Sequence, residues 1–180
     1  MSFTAALPES SVSGTPGRVT GSDLVVANRS DAAQTFRIEV RGEAAAWALV
    51  LPDQLTVPPA AEGRARLTFA VPEATAVRPG RTRFAVRIRG ESGRSVEIPG
   101  SVQVAEVPGV RLGVSPMIAR ARRRARHTVT VENRGNVRAR VDLEAVEPRG
   151  GVALALSPAT FVLAPGERAE ARLSASARRF

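Results

Sequence analysis

The chain has 180 residues, 26 basic against 17 acidic for a net charge of +9, and no cysteine. A hydrophobic fraction of 43% is enough for a packed core and excludes general disorder. The lack of cysteine excludes disulfide frameworks and thiolate metal sites. No lysine is present, so every basic residue is an arginine; this bias suits a GC-rich genome and lowers the weight of any single arginine.

In chain order, "MSFTAALPESS" shows neither a charged n-region nor an apolar h-region, so no signal peptide is expected. No apolar run is long enough for a membrane-spanning helix, and the expected location is the cytoplasm, free or on a larger assembly or the inner membrane surface. "VVANRS" is read as a strand ending at Asn28. "FRIEV" then sends Phe36, Ile38 and Val40 one way and Arg37 and Glu39 the other. "AAAWALVLPDQLTV" is read as a Trp-containing strand, with Trp47 as core rather than a sugar-stacking ring. "RLTFAV" alternates at Leu67, Phe69 and Val71, and "RFAVRI" at Phe84, Val86 and Ile88. After "EVPGVRL" the arginine run "ARARRRARH" enters "TVTVENRG", and "RVDLEA" points Val141 and Leu143 inward against Arg140, Asp142 and Glu144. Alternation with period two marks antiparallel strands with one buried face. The pairs Pro16-Gly17, Pro79-Gly80, Pro99-Gly100, Pro108-Gly109 and Pro165-Gly166 are each expected at a tight turn or strand break.

The chain repeats itself. Asn28 aligns with Asn133, Phe36 with Val141 and Ile38 with Leu143 at an offset of 105. After one inserted residue, Pro52 aligns with Pro158, Leu55 with Phe161, Val57 with Leu163, Pro59 with Pro165 and Leu67 with Leu173. This predicts an all-β protein of two tandem immunoglobulin-like β-sandwich domains, 1–107 and 108–180. Phe84–Val104 supply two strands of the first domain, whose counterparts would fall beyond Phe180. The second domain is therefore expected to lack its last hairpin.

The strand ending in Asn, the amphipathic strand, the Trp-containing strand ending in Pro and the "LxVxPG" pattern follow an order that resembles the bacterial immunoglobulin-like domains called NEW3-like. "AAAWALVLPDQLTV" and "RRRARHTVTVENRGN" resemble a group of actinobacterial two-domain proteins sometimes labelled "hydrolytic protein". The resemblance implies the fold over nearly the whole chain. It further implies a place beside phage-tail-like contractile injection particles, where a sandwich adaptor would be at home. The sequence departs from the pattern at Ala60, where the Gly of "PG" is expected.

Candidate sites for chemistry are few. His127 is the only histidine, so no histidine-rich metal site can form; its alternation with Val129 and Val131 places it at a strand end. No nucleophile elbow, P-loop or dinucleotide fingerprint is present, and no catalytic residue, metal ligand or cofactor is expected. Asn28 opens a formal glycosylation sequon, "NRS", but its repeat partner Asn133 sits in "NRG". A side chain bonding the backbone of a turn explains both.

Charge is unevenly placed. Residues 1–107 carry 12 arginines against 11 acids, a net of +1, whereas residues 108–180 carry 14 against 6, a net of +8. Arg120, Arg122, Arg123, Arg124 and Arg126 form a candidate basic contact patch, expected in the loop entering the second strand of the second domain. It contains no interleaved aromatic of the kind that single-strand readers use, so specific nucleic-acid recognition is not expected. A solvated loop, a protein or polyanion contact, and anionic lipid remain open for it. Val129, Val131, Val141, Leu143, Leu156, Phe161 and Leu173 form a candidate strand-completion region. A partner's strand, a second copy or further residues could complete it, and closure into a smaller sandwich is the alternative. The expected function is a non-catalytic structural or adaptor module docking protein through its second domain, with a polyanion- or membrane-surface-binding module as the other reading.

Overall fold

The computed structural model describes residues 3–121, 123–148 and 150–177. The chain divides into two compact units: residues up to Glu73 with Pro79–Ala105, and Ala74–Arg78 with the chain from Glu106 onward.

Unit 1 contains nine strands: β1 (Phe3–Ala6), β2 (Ser11–Gly14), β3 (Val19–Asn28), β4 (Gln34–Gly42), β5 (Ala48–Leu51), β6 (Gln54–Val57), β7 (Glu62–Ala70), β8 (Gly80–Gly90) and β9 (Ser95–Val104). They form a sheet ordered β1-β3-β7-β5 and a second ordered β2-β9-β8-β4-β6. The opening segment is shared between them: β1 pairs antiparallel with β3, and β2 pairs parallel with β9. A four-stranded sheet of this order over a β9-β8-β4 face is the immunoglobulin arrangement. The alternation read from the sequence fills the interior, with Leu24, Val26, Leu67 and Phe69 from one sheet and Phe36, Ile38, Phe84, Val86 and Ile88 from the other, all buried. Two aromatic pairs join the sheets: Phe3 and Phe36 have ring centroids 4.9 Å apart, and Phe69 and Phe84 4.7 Å.

Unit 2 contains β10 (Val110–Ser115), β11 (Arg124–Asn133), β12 (Ala139–Asp142), β13 (Val152–Ser157), β14 (Thr160–Leu163) and β15 (Arg168–Ala177). Its larger sheet, ordered β10-β11-β15-β13, repeats β1-β3-β7-β5, but its other sheet is only β12-β14. The duplication holds residue by residue. Gln34↔Val57 and Arg37↔Gln54 recur as Ala139↔Leu163 and Asp142↔Thr160. Val19↔Ala70 recurs as Arg124↔Ser176, and Leu51↔Arg66 as Ser157↔Arg172. Among the described residues no strand takes the place of β8 or β9. Among the described residues the second sandwich thus shows no counterpart of that last hairpin, as the offset predicts.

Local expectations need four corrections. Pro99-Gly100 lies inside β9 rather than at a turn. A Cβ on Gly100 would meet the Phe84 ring at 2.3 Å, so glycine there seats an aromatic ring over the opposite strand. Trp47 ends a 3₁₀ helix, Glu43–Trp47, instead of lying in a strand, and it is half-buried; Ala44 is the residue this helix buries. The strand read in "RVDLEA" stops at Asp142, because the neighbour that prolongs β4 in unit 1 has no counterpart among the described residues. Arg124 and Arg126 belong to β11 itself, not to the loop before it.

Candidate interaction surface of the second unit

Each unit is pinned by one asparagine, Asn28 at the end of β3 and Asn133 at the end of β11. Asn28 Nδ2 donates to Ala32 O (2.8 Å), Val57 O (3.0 Å) and Pro58 O (3.1 Å), and Oδ1 accepts from Ser30 N (3.0 Å). Asn133 repeats the device: Nδ2 donates to Val137 O (2.8 Å) and Leu163 O (3.0 Å), and Oδ1 accepts from Gly135 N (2.9 Å). Both asparagines are buried and serve as backbone staples.

Above this staple the two interiors differ. Directly opposed residues of an antiparallel pair share a face. Val110↔Asn133, Leu112↔Val131 and Val114↔Val129 therefore turn Val110, Leu112 and Val114 toward the interior. They are nevertheless 46%, 55% and 44% exposed. In unit 1 the corresponding end of β1 places Phe3 against Phe36, and Phe3 is 2% exposed. Val129 and Val131 are buried, whereas Val141, Leu143, Leu156, Phe161 and Leu173 are only half-buried. Phe36, Ile38 and Leu67, which occupy the slots of Val141, Leu143 and Leu173, are fully buried. The β10 stripe was not singled out from the sequence. "VRLGV" shows the alternation that builds it, but alternation does not say whether anything lies on top. Met117 and Ile118, in the loop after β10, are exposed as well.

The arginines flank this face. Arg120 and Arg123 lie in the loop between β10 and β11, Arg124 and Arg126 on the outward side of β11, and all four are exposed; Arg122 lies outside the described residues. Opposite Arg124 and Arg126 stand Ser176 and Ser174, which cannot neutralise them. Among the described residues none of the four forms an ion pair. Some charges elsewhere in unit 2 are matched. Arg134 Nε donates to Glu132 Oε2 at 3.1 Å, and Arg168 stands 3.7 Å from the same oxygen. The hydrogen bond from Arg134 holds the Glu132 carboxyl below its ordinary range, helped by the charges of Arg134, Arg168 and Arg111. Asp142 takes Arg140 at 3.4 Å and accepts from Thr160 Oγ1 at 2.8 Å, a mixed-charge ladder.

His127 is half-buried within β11, and its Nδ1 donates to Pro116 O at 2.6 Å. It borders an open depression of about 640 Å³ with Ser115, Arg126, Ser157, Arg172 and Leu173. Among the described residues no carboxylate lines that depression. Among the described residues no cluster of three His, Asp or Glu could hold a metal, and no helix is long and apolar enough to cross a membrane.

No family model and no curated protein matches the chain. Among solved structures, the E. coli chaperone DraB is similar at TM-score 0.42 and 16% identity, over 94% of this chain and 86% of that one. A chain in the structure of the Salmonella enterica SafA pilin in complex with the SafB chaperone is similar at 0.42 and 13%, over 94% and 83%. A family 123 glycoside hydrolase from Clostridium perfringens is similar at 0.48 and 9%, over 58% of this chain and 27% of the hydrolase.

Proposed function

We propose that the chain is a non-catalytic structural or adaptor module of NEW3-like kind that docks a protein partner on its second unit, in an assembly of the sort the contractile injection particles represent. The observation that supports it most is the stripe Val110, Leu112 and Val114. Apolar side chains turned toward an interior yet left open to water mark interaction surfaces. Chemistry has little to work with: the one histidine is engaged with a backbone carbonyl, and no thiol exists to act as nucleophile. Hydrolysis of ester, glycoside or peptide substrates that survives purification and disappears on one point mutation would end this part of the reading.

Affinity capture from the native cell tests the docking. A stoichiometric protein is expected that persists at about 1 M salt, where the Debye length falls to about 3 Å, and that is lost with Leu112→Glu/Val114→Glu. Recovery of nucleic acid or lipid alone, released as salt rises, would favour the second reading. That reading, a polyanion- or membrane-surface-binding module, is supported by the exposed, unmatched Arg120, Arg123, Arg124 and Arg126.

A further inference from the structure

We propose that the outward face of the β10-β11-β15-β13 sheet holds a phosphate pocket, built from Arg126 and Arg172 with the hydroxyls of Ser115, Thr128 and Ser157. Its ligand class is the phosphate monoester. The pocket rests on the polyanion- and membrane-surface reading above and narrows it from a basic surface to one site. The apolar stripe Val110, Leu112 and Val114 lies on the other face of β10 and takes no part.

Strand register sets the pocket out in rows. Ser115, Thr128, Arg172 and Ser157 stand side by side across the four strands, and Arg126, Ser174 and Ala155 form the next row. Arg126 and Arg172 are thus diagonal neighbours, about 7–8 Å apart at the backbone, so both guanidinium groups can reach one anion. Both are exposed, and among the described residues neither forms an ion pair. The open depression of about 640 Å³ is lined by both rows, a size that suits a small ligand.

Unit 1 carries the same depression with its charge balanced. There Asp23 stands opposite Arg66 and accepts from its Nη1 at 2.8 Å. The space beside them, about 340 Å³, is lined by Glu9, Asp23, Arg64 and Arg66 among others. The connector after the first strand is tied alike in both units: Ser22 Oγ donates to Glu9 O at 2.8 Å, and its equivalent His127 to Pro116 O at 2.6 Å. The lining is what differs. Arg66 is kept as Arg172, but its partner Asp23 becomes Thr128, Gly21 becomes Arg126 and Leu51 becomes Ser157. Arg64 becomes Glu170, which stands opposite Thr130, one row further from Arg126 and outside the lining. Where unit 1 has an ion pair, unit 2 has two guanidinium groups and two added hydroxyls.

That donor set selects phosphate over carboxylate. A carboxylate is planar and is satisfied by a single guanidinium fork. A phosphate monoester carries about two negative charges at pH 7 and three acceptor oxygens, which call for two cations and donors from several directions.

Titration of the full chain with inorganic phosphate at constant ionic strength, followed by NMR, tests the pocket. Saturable shifts are expected at the Nε–H signals of Arg126 and Arg172 and at the amides of Thr128 and Ser157. The expected dissociation constant is on the order of 1 mM or tighter, with no such response to acetate. Thr128→Asp rebuilds opposite Arg172 the pair that Asp23 makes with Arg66, and Arg126→Ser removes the other charge. Each should weaken binding about tenfold or more with the remaining amide spectrum unchanged. Glycerol 3-phosphate, and phosphatidylcholine vesicles with and without phosphatidic acid, separate the sources. Binding of glycerol 3-phosphate alone assigns a soluble ester; sedimentation that needs phosphatidic acid and is lost in both variants assigns a lipid headgroup. Shifts that do not saturate, or that both variants leave unchanged, would overturn the pocket; salt-labile polyanion recovered on capture would then leave the basic-surface reading standing without it. A pocket that saturates in a chain whose capture yields neither nucleic acid nor lipid would keep the site and end the surface reading.

Discussion

Gly100 carries an aromatic ring rather than a turn. The Phe84 ring lies over it and against Phe69 at 4.7 Å, and both rings are buried. A methyl group there has nowhere to go, so Gly100→Ala is expected to destabilise unit 1 by about 1–3 kcal/mol, the usual cost of overpacking, read as a lowered denaturation midpoint. Ala60 and Gly166 offer a matched pair in the same turn. Both have positive φ, 52° and 77°, which costs an alanine roughly 1–2 kcal/mol. Gly166→Ala should therefore destabilise unit 2. Ala60→Gly should stabilise unit 1 by a smaller amount, up to about 1 kcal/mol, because glycine returns entropy to the unfolded chain. A destabilising Ala60→Gly, or a Gly166→Ala without cost, in chemical denaturation would contradict the shared turn. Glu132 can be followed by its own resonance. Its folded pKa is lowered by Arg134, so its contribution to stability is present above the ordinary carboxylate pKa and lost as pH falls through the folded value. Arg134→Ser should move the titration back toward the usual range in an NMR pH series.

At the scale of elements, the period-two pattern made the strands legible, because it records which side chains leave water. It put Phe36, Ile38, Leu67, Phe69, Val86 and Ile88 on buried faces, where they are found. Strand length was not legible in the same way. "RVDLEA" alternates as well as "FRIEV", yet β12 ends at Asp142 while β4 continues to Gly42. A strand persists as far as its neighbour does, and the neighbour is not written in the strand. The same reason hid β10: Val110, Leu112 and Val114 alternate like core residues, and only the register with β11 shows that they face inward uncovered. Trp47 was misplaced because a lone aromatic before an apolar run looks like core, whereas the turn of 3₁₀ helix that ends at it buries Ala44 instead. For the arginine patch, the concentration of charge in the second unit was readable, whereas the strand that takes in Arg124 and Arg126 and the purpose of the patch were not. Any phosphate contact it makes should weaken by roughly 0.9 log units per log unit of salt for each duplex phosphate engaged. Replacing Arg123, Arg124 and Arg126 by Ser should flatten that slope and leave the fold intact. Nanomolar, sequence-specific binding near 0.15 M salt would show the patch to be a reader of nucleic acid.

On the scale of the whole chain, duplication has yielded two units of unequal finish. Unit 1 closes both faces with aromatics that bridge its sheets. In unit 2, among the described residues, the buried apolar set reduces to Val77, Val129, Val131, Leu163 and Ala171. Exchanging Phe3, Phe36 and Phe69 for Val110, Val141 and Ala175, and leaving Leu173 half open where Leu67 is sealed, removes buried apolar surface several times over. Each full burial of a side chain of that size is worth about 1.5–3 kcal/mol, and a domain's whole stability is only about 5–15 kcal/mol. The isolated chain should therefore melt in two steps in calorimetry, unit 2 first. Native-state hydrogen exchange should assign the steps, with β11 and β15 opening far more readily than β3 and β7, whose registers they copy. Matched pairings leave the cover and the smaller side chains as the differences between them, so the gap in exchange measures the two together. A single cooperative transition, with β11 and β15 as protected as β3 and β7 in a monomeric sample, would mean that unit 2 is already closed and needs no partner.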